Sequence, residues 1–163
     1  MKDNSRYLIL TSPFDTATAE KLSELDKLCV GADGWSAESF MSESEKSNGI
    51  VLYIMEDDRI AALLSGYTAV GEADITSVAV HPDFRRKGCA LALMERFEEL
   101  LPPDTEDIFL EVRESNAGAI ALYEKCGFEK LSIRKNFYTL PRENAIVMRK
   151  TIMYQKGRDK CLF

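Results

Sequence analysis

Apolar residues at Ala90, Leu91, Leu93, Met94, Phe97, Leu100 and Leu101 recur at three- and four-residue spacing, with Glu95, Arg96, Glu98 and Glu99 between them. That spacing predicts an amphipathic helix, and Pro102-Pro103 ends it because proline cannot continue the hydrogen-bond ladder. Ala19, Leu22, Leu25, Leu28 and Cys29 predict an earlier helix, capped by Asp15 or Thr16 and closed by Gly31. A third runs from Asn116, its cap, to Cys126, with Gly127 as the stop. Gly34–Phe40 predicts a short helix capped by Ser36, with Ser39 where a capping-box Glu would sit. Strands are predicted over Arg6–Ser12, Ile50–Met55, Arg59–Tyr67, Ala73–Val80, Asp107–Arg113, Phe128–Tyr138 and Glu143–Ile152. Glu56-Asp57-Asp58 joins the second and third as a hairpin, and the polar run Ser42–Gly49 reads as a mobile loop. Ala73–Val80 is apolar on both faces and therefore central. The order gives a mixed α/β (α+β) fold, with a strand–helix–strand unit in the middle and antiparallel flanks. No linker interrupts it, so residues 1–152 are expected to form a single domain, followed by a charged tail at 153–163.

Composition narrows the class. A chain of 163 residues, 45% hydrophobic and 29% charged, suits an ordinary soluble protein with a sizeable core. No apolar run approaches the roughly 18–20 residues of a membrane helix, and the N-terminal stretch is too short for a signal peptide. Cys29, Cys89, Cys126 and Cys161 lack paired spacing, and the lone His81 cannot anchor a metal site, so no metal is expected. Free thiols in a reducing cytoplasm are the simplest account. A net charge of −6 argues against nucleic-acid affinity and leaves room for a basic protein or peptide partner.

Against that acidity, Arg85-Arg86-Lys87-Gly88 stands at the entrance of the Ala90–Leu101 helix, just after the Ala73–Val80 strand. The first amides of a helix have no internal partner, the dipole there favours negative charge, and Gly88 leaves the backbone open to a phosphate. The spacing fits neither a Walker A loop nor a dinucleotide fingerprint. Local pattern alone leaves two readings open, a diphosphate site and a basic surface loop with an ordinary turn glycine.

A second cluster lies downstream. Alternation along Ile108–Arg113 puts Phe109, Glu111 and Arg113 on one face of a strand. Glu111 is then either an exposed residue paired with Arg113 or a desolvated base, and pattern alone favours the former. Asn116 is accounted for as a helix cap, and Tyr123 as a core tyrosine with its hydroxyl at the surface.

Taken jointly, these stretches resemble a known family. Arg85-x-x-Gly88-x-Ala90 is similar to the pyrophosphate loop of the Gcn5-related N-acetyltransferases (GNAT). The string from Leu110 to Phe128 resembles that family's second cofactor motif nearly residue for residue. Within the family, Trp35–Phe40, Ile75–Leu91, Ile133–Tyr138 and Glu143–Met148 resemble the RimI-type ribosomal-protein alanine N-acetyltransferases. The resemblance covers most of residues 25–150. It implies a mostly antiparallel sheet with splayed middle strands and acetyl-coenzyme A as cosubstrate. By that likeness Glu111 would be the base acting on the acceptor amine and Tyr123 the acid protonating the departing thiolate, in a direct transfer. Val78, Ala79 and Val80 would bind the pantetheine arm. Arg85, Arg86, Lys87, Gly88, Cys89, Ala90 and Leu91 would hold the diphosphate, and Asn116 would touch the cosubstrate. Trp35, Phe40, Tyr138 and Glu143 fall in the acceptor region. Phe137 stands where the subgroup often has tyrosine, the Thr139–Arg142 turn is shorter than usual, and the tail has no counterpart.

The chemistry of those residue types is consistent with the roles. An α-amine has a pKa near 8 and a lysine near 10.4, so a proton must leave before nitrogen attacks; the α-amine is easier by about 3 kcal/mol. A partly buried Glu can take that proton directly or through one water. The expected acceptor is a protein N-terminus, ribosomal ones included. The alternatives are a small-molecule amine, a lysine side chain, or a sensor that binds coenzyme A without turnover.

Overall fold

In this computed structural model, residues 6–152 are described, so the 153–163 tail and Cys161 lie outside the described residues. Seven strands form one sheet: β1 (Ile9–Thr11), β2 (Gly49–Glu56), β3 (Arg59–Ala69), β4 (Glu72–Val80), β5 (Asp107–Arg113), β6 (Glu129–Thr139) and β7 (Arg142–Thr151). Their spatial order is β1-β2-β3-β4-β5-β7-β6. Every neighbouring pair is antiparallel except β4 and β5, which are parallel because a helical crossover joins them.

The helices are α1 (Thr16–Val30), α2 (Ala37–Glu45), α3 (Cys89–Glu99) and α4 (Ala117–Lys125). Strand alternation divides the core between the two faces of the sheet. On one face Leu93, Met94 and Phe97 of α3 and Ile120 and Tyr123 of α4 pack on Leu52, Leu64, Ile75, Ile108, Leu110 and Met148. On the other, Leu22, Leu25 and Phe40 pack on Val51, Tyr53, Leu63 and Ala79. The helix starts are satisfied as their sequences require. Asp15 Oδ1 accepts from the Thr18 amide at 2.8 Å, Ser36 Oγ from Ser39 at 3.1 Å and Asn116 Oδ1 from Ala119 at 3.1 Å.

The segment Ser42–Gly49 is not the loop its polarity suggests. Helix α2 continues to Glu45, with Glu43 only 4% exposed and held to Lys46 at 2.8 Å. A Cβ on Gly49 would come within 2.0 Å of the Glu43 carbonyl oxygen, so the chain turns tightly from α2 into β2. Serines and glutamates made this turn look solvated, but the helix directs one carboxylate inward.

Strands β4 and β5 part company halfway along. Their pairing runs from Glu72–Asp107 to Ile75–Leu110 and stops there. The ladder between β3 and β4 is irregular at the same level, where Ser65 faces Ser77 and Gly66 faces Ile75, leaving Thr76 as the extra residue. A bulge of this kind increases local twist and re-aims the residues beyond it. The splay of the middle strands is therefore present, and it opens the sheet between Val78–Val80 and Glu111–Arg113.

Candidate active site

One side of the opening is a strand edge whose backbone groups β5 leaves unpaired. His81 donates its amide to the Ala61 carbonyl at 2.9 Å, so the 61–81 pair is hydrogen-bonded across the β3–β4 ladder. In an antiparallel ladder such pairs alternate with non-bonded ones, so Ala79 also bonds to Leu63 while Val78 and Val80 turn their amides and carbonyls away from β3. They point into the gap that β5 has vacated. The Val80 carbonyl there accepts from Arg85 Nε at 3.2 Å and from the Cys29 thiol at 3.5 Å. An extended chain carrying amides can pair with such an edge.

The edge leads to the start of α3. Gly88 caps this helix with φ +83°, in the left-handed region, and no side chain bonds to the first amides. A Cβ on Gly88 would meet nothing within 4 Å, so open space lies in front of the loop. Arg85, Arg86, Lys87 and Gly88 are exposed, whereas Cys89 is 3% exposed and points into the core. Arg86 also has a positive φ, of 61°, and the Lys87 carbonyl is held by the Tyr7 hydroxyl at 2.6 Å. Unpaired helix amides, an open glycine and the cations Arg86 and Lys87 suit a diphosphate, while the Arg85 guanidinium turns toward Val80 and Cys29. The edge of Val78 and Val80 continues from the loop toward the gap.

Behind the gap, on the face of α1 and α2, lies a cleft of about 860 Å³. Asp33 and Trp35 line it from the turn before α2, Tyr67 and Asp74 from β3 and β4, Glu111 from β5, and Arg134, Phe137 and Tyr138 from β6. The Glu111 side chain is 31% exposed and pairs with Arg134, not with Arg113 as its position on the strand suggests. Arg113 is taken by Asp33 and Glu143 instead. Burial raises the Asp74 carboxyl above the ordinary range, with a smaller push from Glu111, against a hydrogen bond from Tyr67 that lowers it. Tyr138 is likewise raised, chiefly by burial and next by Glu111.

The predicted residues divide in an instructive way. Glu111, Trp35 and Tyr138 share the cleft. Phe40 is fully buried beneath it and stacks 5.4 Å from Trp35, so it braces the wall without lining it. Glu143 accepts from the Ser115 amide at 2.6 Å, which is the main reason its carboxyl is held below the usual range. Tyr123 does not line this cleft. It lies on the opposite face of the sheet, 7% exposed among the residues under α4, and burial pushes its phenol far above the usual value. Asn116 spends its side-chain oxygen on the α4 cap.

Asp26 carries no signature of chemistry, yet it anchors the cleft. It is 1% exposed, accepts from the Trp35 amide at 2.7 Å and also from the Ser77 hydroxyl. Ser23 donates to the Trp35 carbonyl at 2.7 Å, so α1 holds both polar groups of that residue's backbone. A signal was available: Asp26 falls on the stripe of Leu22, Leu25 and Cys29, where a charged residue requires a buried partner.

Comparison with known proteins gives the class of this protein, an acyltransferase. Residues 16–128 match the acetyltransferase (GNAT) family, and the chain belongs to that family. It is 38% identical over 117 residues to a ribosomal protein bS18 alanine N-acetyltransferase of Salmonella typhimurium, covering 70% of this chain and 78% of that one. The crystal structure of the ribosomal-protein-S18-alanine N-acetyltransferase from Escherichia coli matches at a TM-score of 0.76 and 32% identity, covering 92% of this chain and 98% of that chain. A GNAT acetyltransferase from Elizabethkingia anophelis, solved with acetyl-CoA bound, shares the fold at a TM-score of 0.69 and 18% identity, covering 93% of this chain and 100% of that chain. Among the described residues no helix is long and apolar enough to cross a membrane, and no group of three side chains is arranged to hold a metal.

Proposed function

We propose that the protein is a cytoplasmic N-acetyltransferase that uses acetyl-CoA to acetylate the α-amine of a protein N-terminus, a ribosomal protein's among them. The observation that carries this reading is the position of Glu111, in a cleft that begins where β4 and β5 separate. Identity to enzymes named for alanine acetylation of ribosomal protein bS18 supports the choice of acceptor.

Acetyl-CoA supplies an acetyl thioester, whose carbonyl carbon receives the amine and whose sulfur leaves with the bonding electron pair. The Arg85–Gly88 loop and the first amides of α3 hold its diphosphate, and the Val78–Val80 edge aligns its pantetheine arm. Glu111 takes the proton that the ammonium must lose, directly or through one water. Arg134 already partners that carboxylate, so the entering ammonium replaces or shares a cation that is present. The buried phenol of Tyr123 stays protonated at neutral pH and returns a proton to the thiolate from the α4 side. Amine, thioester and carboxylate are in place together, so the acetyl group passes without a covalent enzyme intermediate. Cys89 faces the core and Cys126 stands at the end of α4, and neither is used.

The test is mass spectrometry of products after incubation with acetyl-CoA and three acceptors: a peptide beginning with alanine, the same peptide blocked at its N-terminus and carrying a lysine, and a small primary amine. Acetylation of the free-N-terminus peptide alone is expected. Product from only the blocked peptide or the small amine overturns the choice of acceptor. Coenzyme A binding without any product would leave a sensor.

A further inference from the structure

The inference concerns the walls of the acceptor cleft and rests on the reading of that cleft as the acceptor site. Arg113, the last residue of β5, has a side chain only 15% exposed. Its Nη1 donates to the Pro141 carbonyl at 3.1 Å and to Glu143 Oε2 at 3.4 Å. Its Nη2 donates to Asp33 Oδ2 at 2.9 Å and to the Leu140 carbonyl at 3.2 Å. The guanidinium carbon also lies 4.1 Å from the centre of the Tyr138 ring.

These partners come from two distant parts of the chain. Asp33 belongs to the turn that carries Trp35, while Leu140 and Pro141 form the turn after β6 and Glu143 stands at the start of β7. Asp33, Trp35 and Tyr138 line the cleft. The remaining contacts leave little freedom to adjust. The other oxygen of Glu143 accepts from the Ser115 amide at 2.6 Å, and Asp33 Oδ1 accepts from the Thr139 hydroxyl at 3.4 Å.

We propose that Arg113 is the positioning residue of the acceptor site, one cation that fixes the separation of the Asp33–Trp35 wall from the Tyr138 wall. Without it, two part-buried carboxylates face each other uncompensated, and the walls move apart. Lysine does not replace it. An ammonium is a point charge that cannot serve four acceptors in one plane while stacking on an aromatic ring. None of its side-chain hydrogen-bond partners belongs to the Val78–Val80 edge or the Arg85–Gly88 loop, so the diphosphate loop does not depend on it.

The test uses Arg113→Met and Arg113→Lys in the full chain, with three readouts. Trp35 is the only tryptophan, so acrylamide quenching of fluorescence reports on this wall directly. Quenching is expected to increase in both variants, more in Arg113→Met. The KM for a peptide beginning with alanine should rise on the order of tenfold or more, as misalignment of a reacting group dictates. Acetyl-CoA affinity, measured by calorimetry, should stay at the parent value. Quenching at the parent level in Arg113→Met overturns the proposal, as does an acetyl-CoA affinity that falls in step with the peptide KM, which marks general damage to the fold. A parent enzyme that leaves the peptide unmodified sinks the choice of acceptor, and the quenching result then decides the role of Arg113 by itself.

Discussion

The Trp35 amide donates to Asp26 Oδ2 at 2.7 Å, and this single bond ties a wall of the acceptor cleft to a carboxylate buried in α1. Burial is the largest influence on that carboxylate and raises its pKa, against opposing hydrogen bonds from Ser77 and Trp35. A carboxyl raised on folding adds stability that is fully present below its unfolded value near 3.9 and is lost as pH rises through the folded value. Asp26→Asn removes that dependence. Urea unfolding between about pH 4 and 7 should therefore show the variant gaining on the parent as pH rises. A constant difference over that range would mean that Asp26 titrates as an ordinary carboxyl. Asp26→Ala strands two buried donors, Trp35 N–H and the Ser77 hydroxyl, and should cost about 2–4 kcal/mol at the acid end of that range and less as pH rises.

Glu111→Gln keeps the shape of the side chain but loses its charge, its ion pair with Arg134 and its capacity to accept a proton. Its kcat should fall by about 10²–10³-fold, the usual worth of a positioned base. Acetyl-CoA binding, followed by calorimetry, should be unaffected. Turnover equal to the parent's would remove Glu111 from the mechanism.

Tyr123→Phe deletes one hydroxyl from a well-packed site where the ring stacks edge-on with Phe128 at 6.1 Å. The thermal midpoint should hardly change, while kcat should drop by about 10²-fold if the phenol supplies the proton to the thiolate. Because burial raises this phenol, it keeps its proton beyond the ordinary value near 10. The parent pH–rate profile should then show no alkaline loss assignable to Tyr123 below about pH 10. Such a loss in the parent that disappears in the variant would contradict the buried, protonated phenol.

Gly88→Ala places a Cβ on a residue in the left-handed region, at a cost of about 1–2 kcal/mol in folding stability. The new methyl also enters the open space before the α3 amides. Acetyl-CoA affinity should weaken by about tenfold, since backbone approach to the diphosphate is what the glycine allows. Calorimetry with coenzyme A checks this, and undiminished affinity would place the diphosphate elsewhere.

Periodicity was enough to locate the strands and helices, because alternation and three-and-four spacing record which side of each element faces the core. The caps Asp15, Ser36 and Asn116 and the stops Gly31 and Gly127 were legible for the same reason: each acts within a few residues of itself. Among the helices only α2 ran past its expected end, since whether Glu43 meets solvent or β2 is a property of the packed chain. The candidate loop at Arg85–Gly88 and the strand position of Glu111 were likewise readable as local arrangements. Nothing local could say that Glu111 would pair with Arg134 and leave Arg113 to Asp33 and Glu143, or that Tyr123 and Glu111 would stand on opposite faces of a sheet that opens between them. Those partnerships join residues that are tens of positions apart. They depend on where β4 and β5 stop pairing, which is set by long-range packing and the bulge at Thr76 rather than by any short-range propensity.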